Sequence, residues 1–183
     1  FNRCFSFLNS KIEMQKLKVF LVLTGYQLTW LACVFGETKF SNPMLGIWVG
    51  IIFLLTYFYF NHNKQKFIKI SLLISVPGYF FDTLLVYFQI YDFETIAKLG
   101  TLPLWMIVLW FSFSTLFDEI LTFFKRYKIL GIILSGVLGP LTYYLGEPIG
   151  VIKIYNFQIF IISMVLFWMI LMFYYLNYVI KND

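Results

Sequence analysis

Stretches of apolar residues long enough to cross a bilayer recur along the chain, separated by short polar clusters. A spanning helix needs about 20 predominantly apolar residues at about 1.5 Å rise each, and six windows meet or approach that length: 17–35, 44–60, 67–88, 104–124, 129–144 and 157–180. The fifth is the shortest and holds Pro140 and several glycines. Membrane helices tolerate both, because neighbouring helices satisfy the freed backbone groups. The pattern predicts an all-α polytopic membrane protein, a six-helix transmembrane bundle over 17–180 flanked by an N-terminal segment, 1–16, and a tail, 181–183. Residues 1–13 precede Met14-Gln15-Lys16, a natural start, and are expected to be a peripheral extension or the product of an upstream start.

Basic residues set the expected orientation. Alternating the windows puts Arg3, Lys11, Lys16, Lys18, Lys64, Lys66, Lys69, Lys125, Arg126, Lys128 and Lys181 on one side, and only Lys39, Lys98 and Lys153 on the other. Cytoplasmic loops hold the excess of Lys and Arg, so both termini are expected in the cytoplasm. Trp48, Tyr87, Tyr91, Trp105, Tyr143, Tyr144 and Tyr155 fall near the expected outer ends, and Tyr57, Tyr59, Tyr127, Tyr174, Tyr175 and Tyr178 near the inner ones. That distribution reads as two interfacial belts. The first window is too long for a signal core, and Trp30 stands three residues before Cys33 where a lipoprotein signal needs a small or aliphatic residue, so no cleaved leader is expected.

Composition narrows the class further. Of 183 residues, 61% are hydrophobic and 13% charged, with a mean hydropathy of +0.81, against about 45–50% apolar and about 25% charged in soluble domains. Two cysteines do not make a disulfide scaffold, and the net charge of +5 lies in short clusters between apolar runs rather than in a nucleic-acid-binding face. The single histidine, His62, sits in the turn Asn61-His62-Asn63-Lys64. His-rich di-iron sites, His-Glu-x-x-His zinc sites and Ser-His nucleophiles therefore have no assembly here. No metal or cofactor is expected.

Ionisable groups within a span cost about 2.5–3.5 kcal/mol each at the helix centre, so those present direct attention to an interior. Asp82 shares a helical face with Ser71, Ser75 and Gly78. The face predicts either a buried carboxyl bonded to a neighbouring helix or a polar cavity open to the outer side, shared with Gln27 and Glu37. Gln27, Trp30, Cys33 and Glu37 form a narrow stripe on the first window. Asp118 and Glu119 lie within reach of Lys125, Arg126 and Lys128, which suggests simple charge pairing. Glu147 is a third outward acid. Gly131, Ser135 and Gly139 recur at i+4, a small-residue ridge that lets helix backbones approach.

The segments Tyr26-Gln27-Leu28-Thr29-Trp30-Leu31-Ala32-Cys33-Val34, Pro43-Met44-Leu45-Gly46, Leu102-Pro103-Leu104-Trp105-Met106 and Gly139-Pro140-Leu141-Thr142-Tyr143 with Gly146 resemble a bacterial multi-pass inner-membrane family, domain-of-unknown-function family 2878, from about Met14 onward. The resemblance implies a small helical protein of the bacterial inner membrane with no assigned activity, whose relatives are encoded beside enzymes that modify fatty-acyl chains. Where those relatives are expected to carry an Asn-His pair late in the fourth window, this chain has Phe117-Asp118-Glu119. That departure speaks against a family-wide catalytic role for the position. Three functions follow as expectations: a non-enzymatic accessory factor in membrane-lipid modification or envelope maintenance, a small-solute transporter or substrate-binding subunit with an outward acidic cavity, or an enzyme using carboxylates alone. The expected partners are membrane lipids and other membrane proteins or further copies of the chain, and no nucleic acid.

Overall fold

A computed structural model describes residues 2–95 and 97–179, with side chains from Glu13 onward. The tail 181–183, the last residue of the sixth window and the side chains of Arg3 and Lys11 lie outside the described residues. Among those described, the chain is all-α in its main architecture: α1 Asn2–Thr38, α2 Met44–Phe60, α3 Lys64–Tyr87, α4 Leu104–Glu119, α5 Lys128–Tyr144 and α6 Phe157–Tyr174. Three stretches are long and apolar enough to cross a bilayer, Glu13–Thr38, Lys64–Tyr87 and Phe157–Val179, while α2 and α5 are apolar but shorter.

The helix boundaries have local causes. Asn63 caps α3 by accepting from the Lys66 amide at 3.0 Å, and Asn156 caps α6 by accepting from the Ile159 amide at 3.1 Å; each satisfies one of the orphan donors that open a helix. The fourth helix stops at Glu119, short of the expected 124, and continues as a 3-10 turn over Leu121–Lys125. Such tightening is a common helix end, and here it lays Phe124 against Gly131 of α5. The sixth helix closes in a π turn, Tyr175–Val179, with the Tyr175 hydroxyl donating to the Phe117 carbonyl.

Short strands, absent from the sequence reading, form a cap at one end. The strand β1 (Tyr91–Phe93) pairs antiparallel with β4 (Ile152–Ile154), Asp92 opposite Lys153. A hairpin of β2 (Lys98–Leu99) and β3 (Leu102–Pro103) turns through Gly100 at φ +68°, a conformation glycine adopts without penalty. This sheet end also holds Glu37, Trp105 and Tyr143; the opposite, basic end gathers Lys18, Asn61, Lys66, Asp118 and Glu119.

The helices pack as two unequal groups. α4 is the hub of the first, touching α1, α2 and α3, while α5 and α6 form a separate hairpin. Stacking joins the hairpin to the hub: Phe81 on Phe167 at 3.9 Å and Trp110 on Trp168 at 5.6 Å between ring centroids. Both contacts use α6, so α5 stands out on its flank. Leu17, Phe20, Ile52, Leu55, Ile133, Val137, Ile162, Leu166 and Ile170 are exposed. An apolar exterior of this extent is suited to hydrocarbon rather than water.

Candidate functional site

Asp82 is completely buried, and three neutral donors from three different elements converge on it. Tyr91 of β1 donates to Oδ1 at 2.7 Å, Trp110 of α4 to Oδ2 at 2.8 Å, and Tyr143 of α5 to both oxygens at 3.0 and 2.8 Å. Gly78, one turn below, makes room for this: a Cβ there would stand 2.4 Å from the Trp110 ring. Ser71, on the same face, exchanges a 2.8 Å hydrogen bond with Ser114, whereas the buried Ser75 hydroxyl has no partner among the described residues. Burial first, and the Asp82 carboxylate second, push the Tyr91 phenol well above its ordinary value, which favours Tyr91 as a neutral hydrogen-bond donor to Asp82.

These positions correct the expectation of an outward polar cavity. The Asp82 carboxylate is enclosed by aromatic rings. Gln27 is exposed on the outer surface of α1, and Glu37 accepts from the Trp105 indole at 3.2 Å. Cys33 is buried against Gly46, so the first-window stripe divides between exposed and buried surfaces. Trp30 is half-buried. Glu147 accepts from the Ile154 amide at 3.0 Å and so fixes the approach to β4. Tyr57, Tyr91, Trp105 and Tyr175 are nearly or fully buried and Tyr143 partly so, and these five are core side chains rather than belt residues. Trp48, Tyr59, Tyr87, Tyr155 and Tyr178 are exposed.

At the basic end the acids meet a different set of cations from the one expected. Asp118 accepts from the Tyr57 hydroxyl at 2.7 Å and the Asn61 amide at 2.9 Å, with the Lys66 ammonium 3.7 Å away. Glu119 pairs with Lys18 and accepts from Tyr57 at 2.9 Å. Lys125, Arg126 and Lys128 take no part in these pairs; Lys128 donates instead to Asn177 at 2.8 Å. The network ties α1, α2, α3 and α4 together. Among the described residues no three His, Cys, Asp or Glu side chains converge as metal ligands do.

The small residues of α5 lie against α6 and the 3-10 turn. A Cβ on Gly139 would stand 2.3 Å from the Trp168 ring and one on Gly131 2.9 Å from Phe124, while the Ser135 hydroxyl donates to the Ile132 carbonyl at 2.8 Å and the Trp168 carbonyl at 3.1 Å.

What the sequence reading did not find is a cleft. Because α1 packs on α2 and α4, and α5 packs on α6, a partly open apolar cavity of about 330 Å³ runs between the two groups, walled by Trp30, Leu109, Phe113, Leu138, Tyr143 and Trp168 among others. The volume lies within the range of about 300–1,000 Å³ typical of small-molecule sites. On α5 it extends from Gly131 to Tyr143, about 18 Å at about 1.5 Å per residue. The Asp82 cluster closes its upper part through Trp110 and Tyr143, and the buried indole N–H of Trp168 in its wall has no partner among the described residues. The sequence held one sign of it: Trp30, Trp105, Trp110 and Trp168, four of the five tryptophans, line this one space.

The family described as "Protein of unknown function (DUF2878)" matches residues 19–174. No curated protein and no solved structure matches the chain.

Proposed function

Since the chain belongs to the DUF2878 family, whose description assigns no activity, we propose from the geometry that it is a non-enzymatic lipid-handling protein of the bacterial inner membrane that shelters one acyl chain in the cleft between α1–α4 and the α5–α6 hairpin. The observation that carries this reading is the cleft itself: apolar, partly open and about 330 Å³ in volume. Its length of about 18 Å along α5 exceeds the depth of one leaflet, about 15 Å or half of a hydrocarbon core of about 30 Å. A chain held there exchanges contact with other lipid tails for contact with aromatic rings. That exchange gains no hydrophobic energy in a bilayer and depends on packing, so the cleft selects shape.

The six helices are read as six spans with the basic end in the cytoplasm. Lys16, Lys18, Lys64, Lys66, Lys69, Lys125, Arg126 and Lys128 support this, because cytoplasmic loops carry the excess of basic residues. Transport through an outward acidic cavity finds less support, since Glu37, Asp82, Asp118, Glu119 and Glu147 all bond to protein groups. Assistance to an enzyme that modifies acyl chains fits a protein that holds such a chain without acting on it.

The test is lipid retention. Wild-type protein purified in mild detergent is expected to keep about one phospholipid through extensive washing, counted by mass spectrometry of the intact complex. Leu109→Trp fills the cleft from the α4 wall and is expected to abolish retention while the protein stays monodisperse. Equal retention by both proteins, or none by the wild type, contradicts the reading.

A further inference from the structure

The two mouths of the cleft differ in charge, and the difference assigns a direction to its occupant. At the basic end the cleft wall ends with Leu121 and Phe124. The next residues are Lys125, Arg126 and Lys128, all exposed. The neighbouring carboxylates do not neutralise them, because Asp118 is engaged by Tyr57, Asn61 and Lys66, and Glu119 by Lys18. Among the described residues no carboxylate forms an ion pair with any of the three; Lys128 bonds to neutral Asn177, and Arg126 lies over the Tyr127 ring at 5.6 Å. At the sheet end the loops that flank the cleft carry Asp92, Glu94 and Glu147 beside Lys98 and Lys153, with Asp92 and Lys98 already paired at 2.7 Å. Among the described residues, one mouth is a cationic rim with no carboxylate paired to it, and the other has no cationic excess.

Resting on the acyl-chain reading above, we propose that the occupant is an anionic phospholipid of the cytoplasmic leaflet, its phosphate and headgroup on Lys125, Arg126 and Lys128 and one acyl chain running up the cleft toward Tyr143. Basic side chains at a membrane surface attract anionic lipid by about 1 kcal/mol each, and a guanidinium matches a phosphate in a two-pronged geometry. The tail end meets a wall of opposite character. The Tyr143 hydroxyl donates a hydrogen bond to Asp82, and Leu138 and Trp168 complete an apolar surface. The same cavity therefore offers phosphate chemistry at one end and hydrocarbon at the other.

Tryptophan fluorescence reads the two claims separately. Trp48 is exposed on the outside of the bundle, whereas Trp30, Trp105, Trp110 and Trp168 all line the cleft, so Trp48→Phe leaves only cleft reporters. The full chain with this substitution is placed in vesicles of phosphatidylcholine and phosphatidylglycerol in equal parts, with bromine on the acyl chains of one lipid or the other as quencher. Brominated phosphatidylglycerol is expected to quench more strongly, with an apparent preference of roughly fivefold or more, the order produced by one basic side chain near the surface. Lys125→Gln with Arg126→Gln and Lys128→Gln is expected to remove the preference. Lys125→Arg with Arg126→Lys and Lys128→Arg, which keeps the charge, is expected to retain it and guards against loss through misfolding. Equal quenching by both lipids overturns the headgroup assignment while leaving the acyl-chain reading intact. A preference that survives the triple Gln change overturns the choice of residues. If neither brominated lipid quenches the Trp48→Phe protein while both quench the wild type, the cleft holds no chain and the underlying reading fails as well.

Discussion

Asp82 and Asp118 are both acids inside apolar helices, and both are shielded from solvent, yet the protein meets their cost in opposite ways. Asp118, near the basic end, is 7% exposed and has a lysine beside it in addition to Tyr57 and Asn61. Asp82 is 0% exposed and is met by two phenols and an indole, with no cation paired to it among the described residues. Near the helix end charge meets charge. Deeper in, neutral donors are better partners, because each satisfies an acceptor without adding a second ion to desolvate. The mechanical consequences differ too. The basic-end network binds α1 to α4 among themselves, whereas the Asp82 cluster reaches Tyr143 and so fastens the α5–α6 hairpin to the bundle at the sheet end. The cleft extends from that fastening toward the basic end.

The contrast breaks most readily at its deeper member. Asp82→Ala leaves two buried donors, Tyr91 and Trp110, and the partly buried Tyr143 without an acceptor, each costing about 1–3 kcal/mol and not additively, so a loss of roughly 3–5 kcal/mol is expected. Asp118→Ala, whose partner Tyr57 keeps Glu119, is expected to lose only about 1–2 kcal/mol. Thermal unfolding of both variants in one detergent measures the gap. Equal losses would show that depth and partner charge do not distinguish the two sites.

Gly139→Leu is the next largest effect. A side chain there meets the Trp168 ring at once, while a Cβ on Gly100 has nothing within 4 Å and only an unfavourable φ of +68° to bear. Overpacking of this kind costs about 1–3 kcal/mol or more, against about 1 kcal/mol for the strained turn. The yield of monodisperse protein is expected to drop several-fold for Gly139→Leu and little for Gly100→Leu; similar yields would contradict the close approach of α5 to α6.

Tyr143→Phe removes one of the three donors while leaving Asp82 with Tyr91 and Trp110, and is expected to cost about 1–1.5 kcal/mol. Loosening the fastening should also speed lipid exchange from the cleft, measured as the off-rate of a spin-labelled phospholipid. An unchanged off-rate would detach the Asp82 cluster from the cleft.

The smallest effect is on alkaline stability. The Tyr91 phenol is raised in the folded state, so the fold binds its proton more tightly than the unfolded chain does. Its contribution is complete below the ordinary phenol value of about 10 and is lost as pH rises beyond it. Tyr91→Phe is therefore expected to flatten the alkaline limb of the stability curve above about pH 10. The same limb in both proteins would contradict a buried Tyr91 proton.

The sequence made the helices legible where their ends have local causes. Pro43 and Asn61 bracket α2, which runs Met44–Phe60 as its apolar window does. The face shared by Ser71, Ser75, Gly78 and Asp82 was readable from spacing alone, and all four are buried. Whether that face was wet or dry was not readable. The answer lies with Tyr91, nine residues on, and Tyr143, 61 residues on, and both sit near helix ends where an interfacial belt is the usual reading. Asp118 and Glu119 were expected to use the nearest cations in sequence, but the 3-10 turn after Glu119 carries Lys125 away, and Lys18 and Lys66 reach them from other helices. The cleft is a space between α1 and α5, and no periodicity records the absence of a contact.

A crystal structure grown from a lipidic mesophase tests the central claim most directly. The account predicts elongated density along Trp30, Leu109 and Leu138, with its polar end at Lys125 and Arg126. An α5 collapsed onto α1, with Leu138 filling the space beside Trp30 and no chain between them, would contradict it.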